Sequence, residues 1–207
     1  PNGYIWTQEQ IEYILQQFPN MTLVADESFI NFAPTAETSE PLLSRYPNLL
    51  IIHSMTKNFA IPGLRLGYML GNEALIERVR AFKSPWSVNS LAIEVGKFLL
   101  KNGKYLLPDT SRLMKRKQQF VNQLDNLPGF IPLNSGTSFF LVHTKFDTRQ
   151  LKQHLIERHG ILIRDASNFR GLDEHYFRIN TLSEEKNQML VNALKNLELK
   201  RKIYRRE

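Results

Sequence analysis

The sequence predicts an α/β protein in two parts, and three patterns point to it. Short apolar runs of strand character alternate along the chain with amphipathic stretches of helical period. The run Met21–Ala25 ends at Asp26, as a buried parallel strand does where its carboxyl end presents a ligand group. Gly103 and Pro108 then mark a joint near residue 104, which separates residues 1–104 from a smaller α+β part, 105–207.

The elements follow in order. Thr7 with Gln10 three residues on forms a capping box, and Ile11, Ile14 and Leu15 supply the stripe of a first helix. Met21–Ala25, Leu49–Ile52 and Leu66–Leu70 read as strands. Asn72 caps a helix running to about Phe82. Pro85-Trp86 interrupts the pattern, and helix resumes from Asn89 to Lys101. A long amphipathic helix covers 111–127 and stops at Pro128-Gly129. Phe139–His143 is a strand, Thr148–His159 a helix ended by Gly160, and Ile161–Arg164 and Tyr176–Thr181 are strands. Ser183 and the stretch 186–199 make the last helix, with Glu184 and Glu185 favoured by its dipole.

Composition bounds the function. Hydrophobic residues make up 42% of the 207, enough for a core. No run reaches the roughly 18 apolar residues of a membrane span, so no membrane partner is expected. The chain opens Pro1-Asn2-Gly3 without a basic and then apolar leader, which makes a cytoplasmic location the default. Cysteine is absent, which excludes disulfides and thiolate metal sites. The five histidines lack metal-ligand spacing and read as structural or solvated, so no metal is expected. The net charge of +7 owes much to Lys200, Arg201, Lys202, Arg205 and Arg206. This tail reads as a solvated terminus, and no nucleic-acid partner is expected, because no zinc-finger spacing, RNA-binding aromatic motif or helix-turn-helix accompanies it.

The chemistry concentrates in residues 54–68. Lys57 lies three residues after Ser54 and eight before Arg65, with Pro62-Gly63 between. A lysine amine forms a Schiff base with an aldehyde. A hydroxyl and a flat guanidinium grip a phosphate. Pyridoxal 5'-phosphate carries both handles.

This stretch, the Asp26-Glu27-Ser28-Phe29 strand end and Tyr176-Phe177-Arg178-Ile179-Asn180 resemble, in that order, the site segments of fold-type-I pyridoxal-phosphate enzymes, the aspartate aminotransferase superfamily. The resemblance implies the C-terminal part of the large cofactor domain followed by the small domain. It implies that Lys57 binds the cofactor covalently and moves protons, and that Asp26 faces the ring nitrogen. Ser54 and Arg65 would hold the phosphate, with Thr56 adding a hydroxyl or serving as a cap. Arg178 would take the substrate carboxylate. Arg164 is either a second anion ligand or an ordinary surface cation. Phe29 stands where many aminotransferases carry a tyrosine beside the cofactor. Trp86 and Asn89 either line the site or serve the helix start.

Phe29, the stretch 85–89 and the stretch 164–172 resemble the threonine-phosphate decarboxylases of cobalamin biosynthesis, with the histidinol-phosphate aminotransferases as near relatives. Thr181-Leu182 lacks a basic residue expected of the decarboxylases. The resemblance implies a phosphorylated amino-acid substrate and a homodimer. A non-catalytic effector domain of a regulator is the alternative of another class. The asparagine of the family's Asn-Pro-x-Gly turn would precede Pro1, as would half of the large domain. The expectation is therefore a piece of a longer enzyme that alone binds cofactor weakly and shows little activity.

Overall fold

The structure, a computed structural model, describes residues 2–204, and side chains through residue 197. The basic side chains of Lys200, Arg201, Lys202, Arg205 and Arg206 lie outside the described residues, as does Pro1. The chain divides into two compact units, Ile5–Thr110 and Ser111–Glu207, the second including Pro1–Tyr4. Residues 105–110 fall in the first unit, beyond the joint expected near residue 104. Gly103 explains the continuity: a Cβ there would lie 2.9 Å from the Phe59 ring, so the turn after the preceding helix packs directly on this unit.

In the first unit, α1 (Gln8–Gln17) starts at Thr7, whose hydroxyl accepts from the Gln10 amide while the Gln10 side chain accepts from the Thr7 amide. This is the capping box read from the sequence. Strand β1 (Leu23–Asp26) pairs in parallel with β2 (Leu49–Ser54), and β2 pairs antiparallel with β3 (Gly67–Gly71). The short α2 (Met55–Asn58) follows β2 directly. Asn72 caps α3 (Glu73–Arg80) and Asn89 caps α4 (Ser90–Asn102), each through its side-chain oxygen. Leu15, Leu42, Leu49 and Ile51 form one core cluster, and Met55, Leu66, Ala92 and Leu99 a second.

β1 differs from its expected burial on both faces. Among the described residues it pairs with β2 alone, and its side chains alternate between half-buried and exposed, Val24 being 49% exposed. Leu23 and Ala25 pack against the α1 cluster, whereas Val24 and Asp26 face the other way.

In the second unit, the sheet order is β4-β5-β7-β6 and every pairing is antiparallel. Its strands are β4 (Phe130–Pro132), β5 (Phe139–Thr144), β6 (Arg164–Asp165) and β7 (Tyr176–Asn180). The helices α5 (Thr110–Asp125), α6 (Thr148–His159) and α7 (Glu184–Tyr204) supply residues to a core that includes Phe120, Leu124, Phe140, Leu155, Phe177 and Leu194. Strand β6 is shorter than the expected 161–164. Gly160 ends α6 in the left-handed region at φ 64, and the Ile161 amide then bonds the Leu155 carbonyl, so it is spent on the helix end rather than on a ladder. No described helix is long and apolar enough to cross a membrane.

Candidate active site

The lysine loop is closed at its base. Ser54 pairs with Gly67 across β2 and β3, and the Met55 amide bonds the Leu66 carbonyl at 3.2 Å. A Cβ on Gly67 would lie 2.6 Å from the His53 carbonyl oxygen, so the loop can return this close to β2 only through a glycine. Between these ends, Ala60 and Arg65 both take left-handed backbone, at φ 52 and φ 50. Such conformations cost an ordinary residue roughly 1–2 kcal/mol. They gather where a loop is shaped by its function.

The loop brings three functional groups together. Ser54 is the N-cap residue of α2 by position, yet its hydroxyl makes no cap bond. Instead, Ser54 Oγ and Thr56 Oγ1 are 2.7 Å apart, and Lys57 Nζ donates to Ser54 Oγ at 3.3 Å. Thr56 therefore joins the hydroxyl pair and makes no side-chain cap bond. Lys57 is exposed, and its Nζ lies 5.3 Å from the centre of the Phe29 ring. Arg65 is exposed, and Nη1 donates to the Pro62 carbonyl at 3.1 Å.

Asp26 ends β1 opposite Ile52. Its Oδ1 accepts from the Ser28 amide at 3.0 Å, while Oδ2 makes no bond among the described residues. One carboxylate oxygen is thus fixed by the turn, and the other is available.

In the second unit, Arg164 and Arg178 are register partners on β6 and β7. Both guanidiniums lie over Phe169, at 5.6 and 5.9 Å from its centre, and Arg178 also lies 5.3 Å from that of Phe139. Arg164 Nη2 donates to Asn168 Oδ1 at 3.2 Å. Neither arginine has an ion-pair partner among the described residues. Two uncompensated forks of donors on one face suit an anionic ligand.

Asn89 caps α4, accepting from the Ala92 amide at 2.8 Å, so the helix start explains it. Trp86 does not pack that start: it is 97% exposed, on left-handed backbone at φ 54. Glu27 and His53 lie buried next to Asp26 and Ser54 in the chain. Glu27 was visible as a second acid at the strand end. His53 carried no signal, because its neighbours come from distant segments.

The donor set fits a group with an aldehyde, a phosphate and a ring nitrogen: an amine beside two hydroxyls and an arginine on the loop, and a strand-end carboxylate with one oxygen open. The fold is that of the fold-type-I pyridoxal-phosphate class. The Aminotransferase class I and II family model matches residues 1–194, and the chain belongs to that family. The family's cofactor is pyridoxal 5'-phosphate.

The chain is similar to a putative threonine-phosphate decarboxylase of Caldanaerobacter subterraneus subsp. tengcongensis, at 33% identity over 95% of this chain and 55% of the relative. It is similar to a histidinol-phosphate aminotransferase of Thermoanaerobacter pseudethanolicus, at 34% identity over 95% of this chain and 54% of the relative. Among solved structures, it resembles the L-threonine-O-3-phosphate decarboxylase from Porphyromonas gingivalis, with a TM-score of 0.88 and 37% identity over 95% of this chain and 61% of that one. The chain spans about half the length of the curated relatives it matches.

Proposed function

We propose that the protein carrying this chain is a pyridoxal-phosphate-dependent decarboxylase that converts L-threonine O-3-phosphate to aminopropanol O-phosphate in cobalamin biosynthesis. The observation that carries this reading is the facing pair Arg164 and Arg178, two guanidiniums with no ion-pair partner among the described residues, suited to a substrate with a carboxylate and a phosphate. Likeness to decarboxylases at 33% and 37% identity supports it. Ile5–Thr110 is then the remainder of the cofactor domain and Ser111–Glu207 the small domain. Family resemblance supports a homodimer.

When bound, the cofactor supplies an electron sink for the bond broken at the substrate's α-carbon. Lys57 would provide the amine that anchors it and would carry a proton at the substrate's α-carbon. Ser54, Thr56 and Arg65 hold the phosphate by charge-assisted bonds. The open oxygen of Asp26 would accept the ring N–H, and its negative charge would keep that nitrogen protonated. The Phe29 ring flanks the Lys57 amine. Arg178 grips the carboxylate and Arg164 the phosphate.

Orientation of the substrate would select the reaction. Held for loss of its carboxylate, the substrate would release carbon dioxide and Lys57 would return a proton. Held for loss of its α-hydrogen, it would give that proton to Lys57 and amino transfer would follow, as in a histidinol-phosphate aminotransferase. The likeness to such enzymes at 34% identity favours this second reading. Threonine phosphate supplied to the protein, with carbon dioxide and keto acid measured together, separates the two. Carbon dioxide release without keto acid is expected. Stoichiometric amino transfer to 2-oxoglutarate without gas would replace the first reading by the second.

A further inference from the structure

A buried acid–imidazole cluster lies on the face of the β1–β2 pair opposite Asp26 and Ser54. Successive residues of a strand point to opposite faces. Glu27 follows Asp26 and His53 precedes Ser54, so the residues assigned to the cofactor project one way and this pair the other. The side chains of Glu27 and His53 are each 8% exposed.

Both oxygens of Glu27 are engaged. Oε1 accepts from the Ser39 amide at 2.6 Å and Oε2 from the Thr38 hydroxyl at 2.7 Å. His53 Nε2 lies 3.6 Å from Glu27 Oε2 and 3.4 Å from Glu40 Oε1, within ion-pair reach of both but hydrogen-bonded to neither. A nitrogen lone pair aimed at two carboxylates would be repelled, which places a hydrogen on Nε2. The other side of the imidazole stacks on Tyr68, its register partner on β3, with ring centres 5.0 Å apart and planes 24° apart. Burial pushes the Tyr68 phenol above its ordinary range, and the charges of Glu40 and Glu27 push it further. Glu27, Glu40 and Tyr68 are thus the titratable groups around the imidazole.

Among the described residues β1 is four residues long, and beyond Asp26 only the Glu27 amide, bonded to the Ile52 carbonyl at 2.9 Å, continues its pairing with β2. Side-chain contacts just past the strand end therefore decide how firmly Asp26 is placed relative to Ser54.

We propose that His53 is a positioning residue for the cofactor site: its Nε2–H, set between Glu27 and Glu40, fixes the ends of β1 and β2 so that Asp26 and Ser54 grip one cofactor together. This rests on the assignment of Asp26 to the ring nitrogen and Ser54 to the phosphate. His53→Leu removes the donor. His53→Gln keeps an N–H near the place of Nε2.

The test uses the whole protein that carries this chain and two probes, pyridoxal 5'-phosphate and 4'-deoxypyridoxine 5'-phosphate, which lacks the aldehyde and so bypasses the Lys57 bond. Affinity and the absorbance band of the bound ring are read well below each variant's cofactor-free thermal midpoint. We expect His53→Leu to weaken both probes about tenfold or more and to shift the band, with His53→Gln restoring most of each. If His53→Leu is too unstable to assay, the pair Glu27→Gln and His53→Leu, which removes the stranded acid charge, takes its place with the same expectation. A lowered thermal midpoint with unchanged affinity and band overturns the proposal and leaves His53 as packing alone. Failure of the unsubstituted protein to bind either probe overturns the underlying assignment, and the proposal with it.

Discussion

Arg164 and Arg178 stand directly opposite each other across β6 and β7, both resting on the Phe169 ring, with no carboxylate in ion-pair reach among the described residues. Like charges facing across strands are destabilising, by roughly 0.2–1 kcal/mol. The aromatic faces of Phe169 and Phe139 offset part of that. The proposed role of the pair in holding an anionic substrate gives a reason for keeping this repulsion.

Arg164→Gln should therefore raise the unfolding free energy of the ligand-free protein by up to about 1 kcal/mol, less as salt screens the pair. The same change should weaken the phosphorylated substrate about 10- to 150-fold, the value of a hydrogen bond to a charged group. Chemical denaturation at low and high salt checks the first effect, and the Michaelis constant the second. Loss of stability together with unchanged substrate affinity would return Arg164 to the role of a surface cation.

Asp26 is exposed, and its one internal bond is to the Ser28 amide. Asp26→Asn keeps an acceptor for that bond, so the cofactor-free protein should lose no more than about 0.5 kcal/mol. If Asp26 faces the ring nitrogen as proposed, the substitution removes the charge there, and turnover should fall on the order of 10²-fold or more. Thermal midpoints and initial rates, measured on one preparation, separate the two effects.

Asp165 carries a prediction about pH. Burial works against its charged form, but the amide and hydroxyl of Ser167, the hydroxyl of Thr148 and the charge of Arg149 outweigh it and hold the carboxyl below its ordinary range. The Thr148 hydroxyl donates at 3.1 Å and the Ser167 amide at 2.9 Å. The folded value is lower than the unfolded one, about 3.9. The contribution to stability is therefore present above that pH and is lost as the pH falls through the folded value. Asp165→Asn should lower the urea midpoint near pH 7 and leave a smaller difference near pH 3. An equal loss at both would assign the effect to packing.

Local signals were legible in the sequence, and pairings between distant segments were not. Thr7 with Gln10, Asn72, Asn89 and Gly160 act within a few residues of themselves, and each sits at the helix end expected of it. Ser54, Thr56 and Lys57 meet in the structure and are also close in sequence. Strand β4 was missed, since three residues ending in Pro132 carry no alternation. The short α2 was hidden by the motif itself. The facing of Arg164 and Arg178 depends on a register between strands joined by a long turn. The Glu27–His53 contact depends on the parallel register of β1 and β2. Neither relation is written in a local pattern.

Borohydride reduction of the cofactor-loaded protein, followed by peptide mapping, puts the assignment of the anchoring amine to a direct trial. A single phosphopyridoxyl adduct on Lys57 is predicted, and its loss in Lys57→Ala without unfolding should follow. An adduct on another lysine, or none at all, would contradict the whole reading of the site.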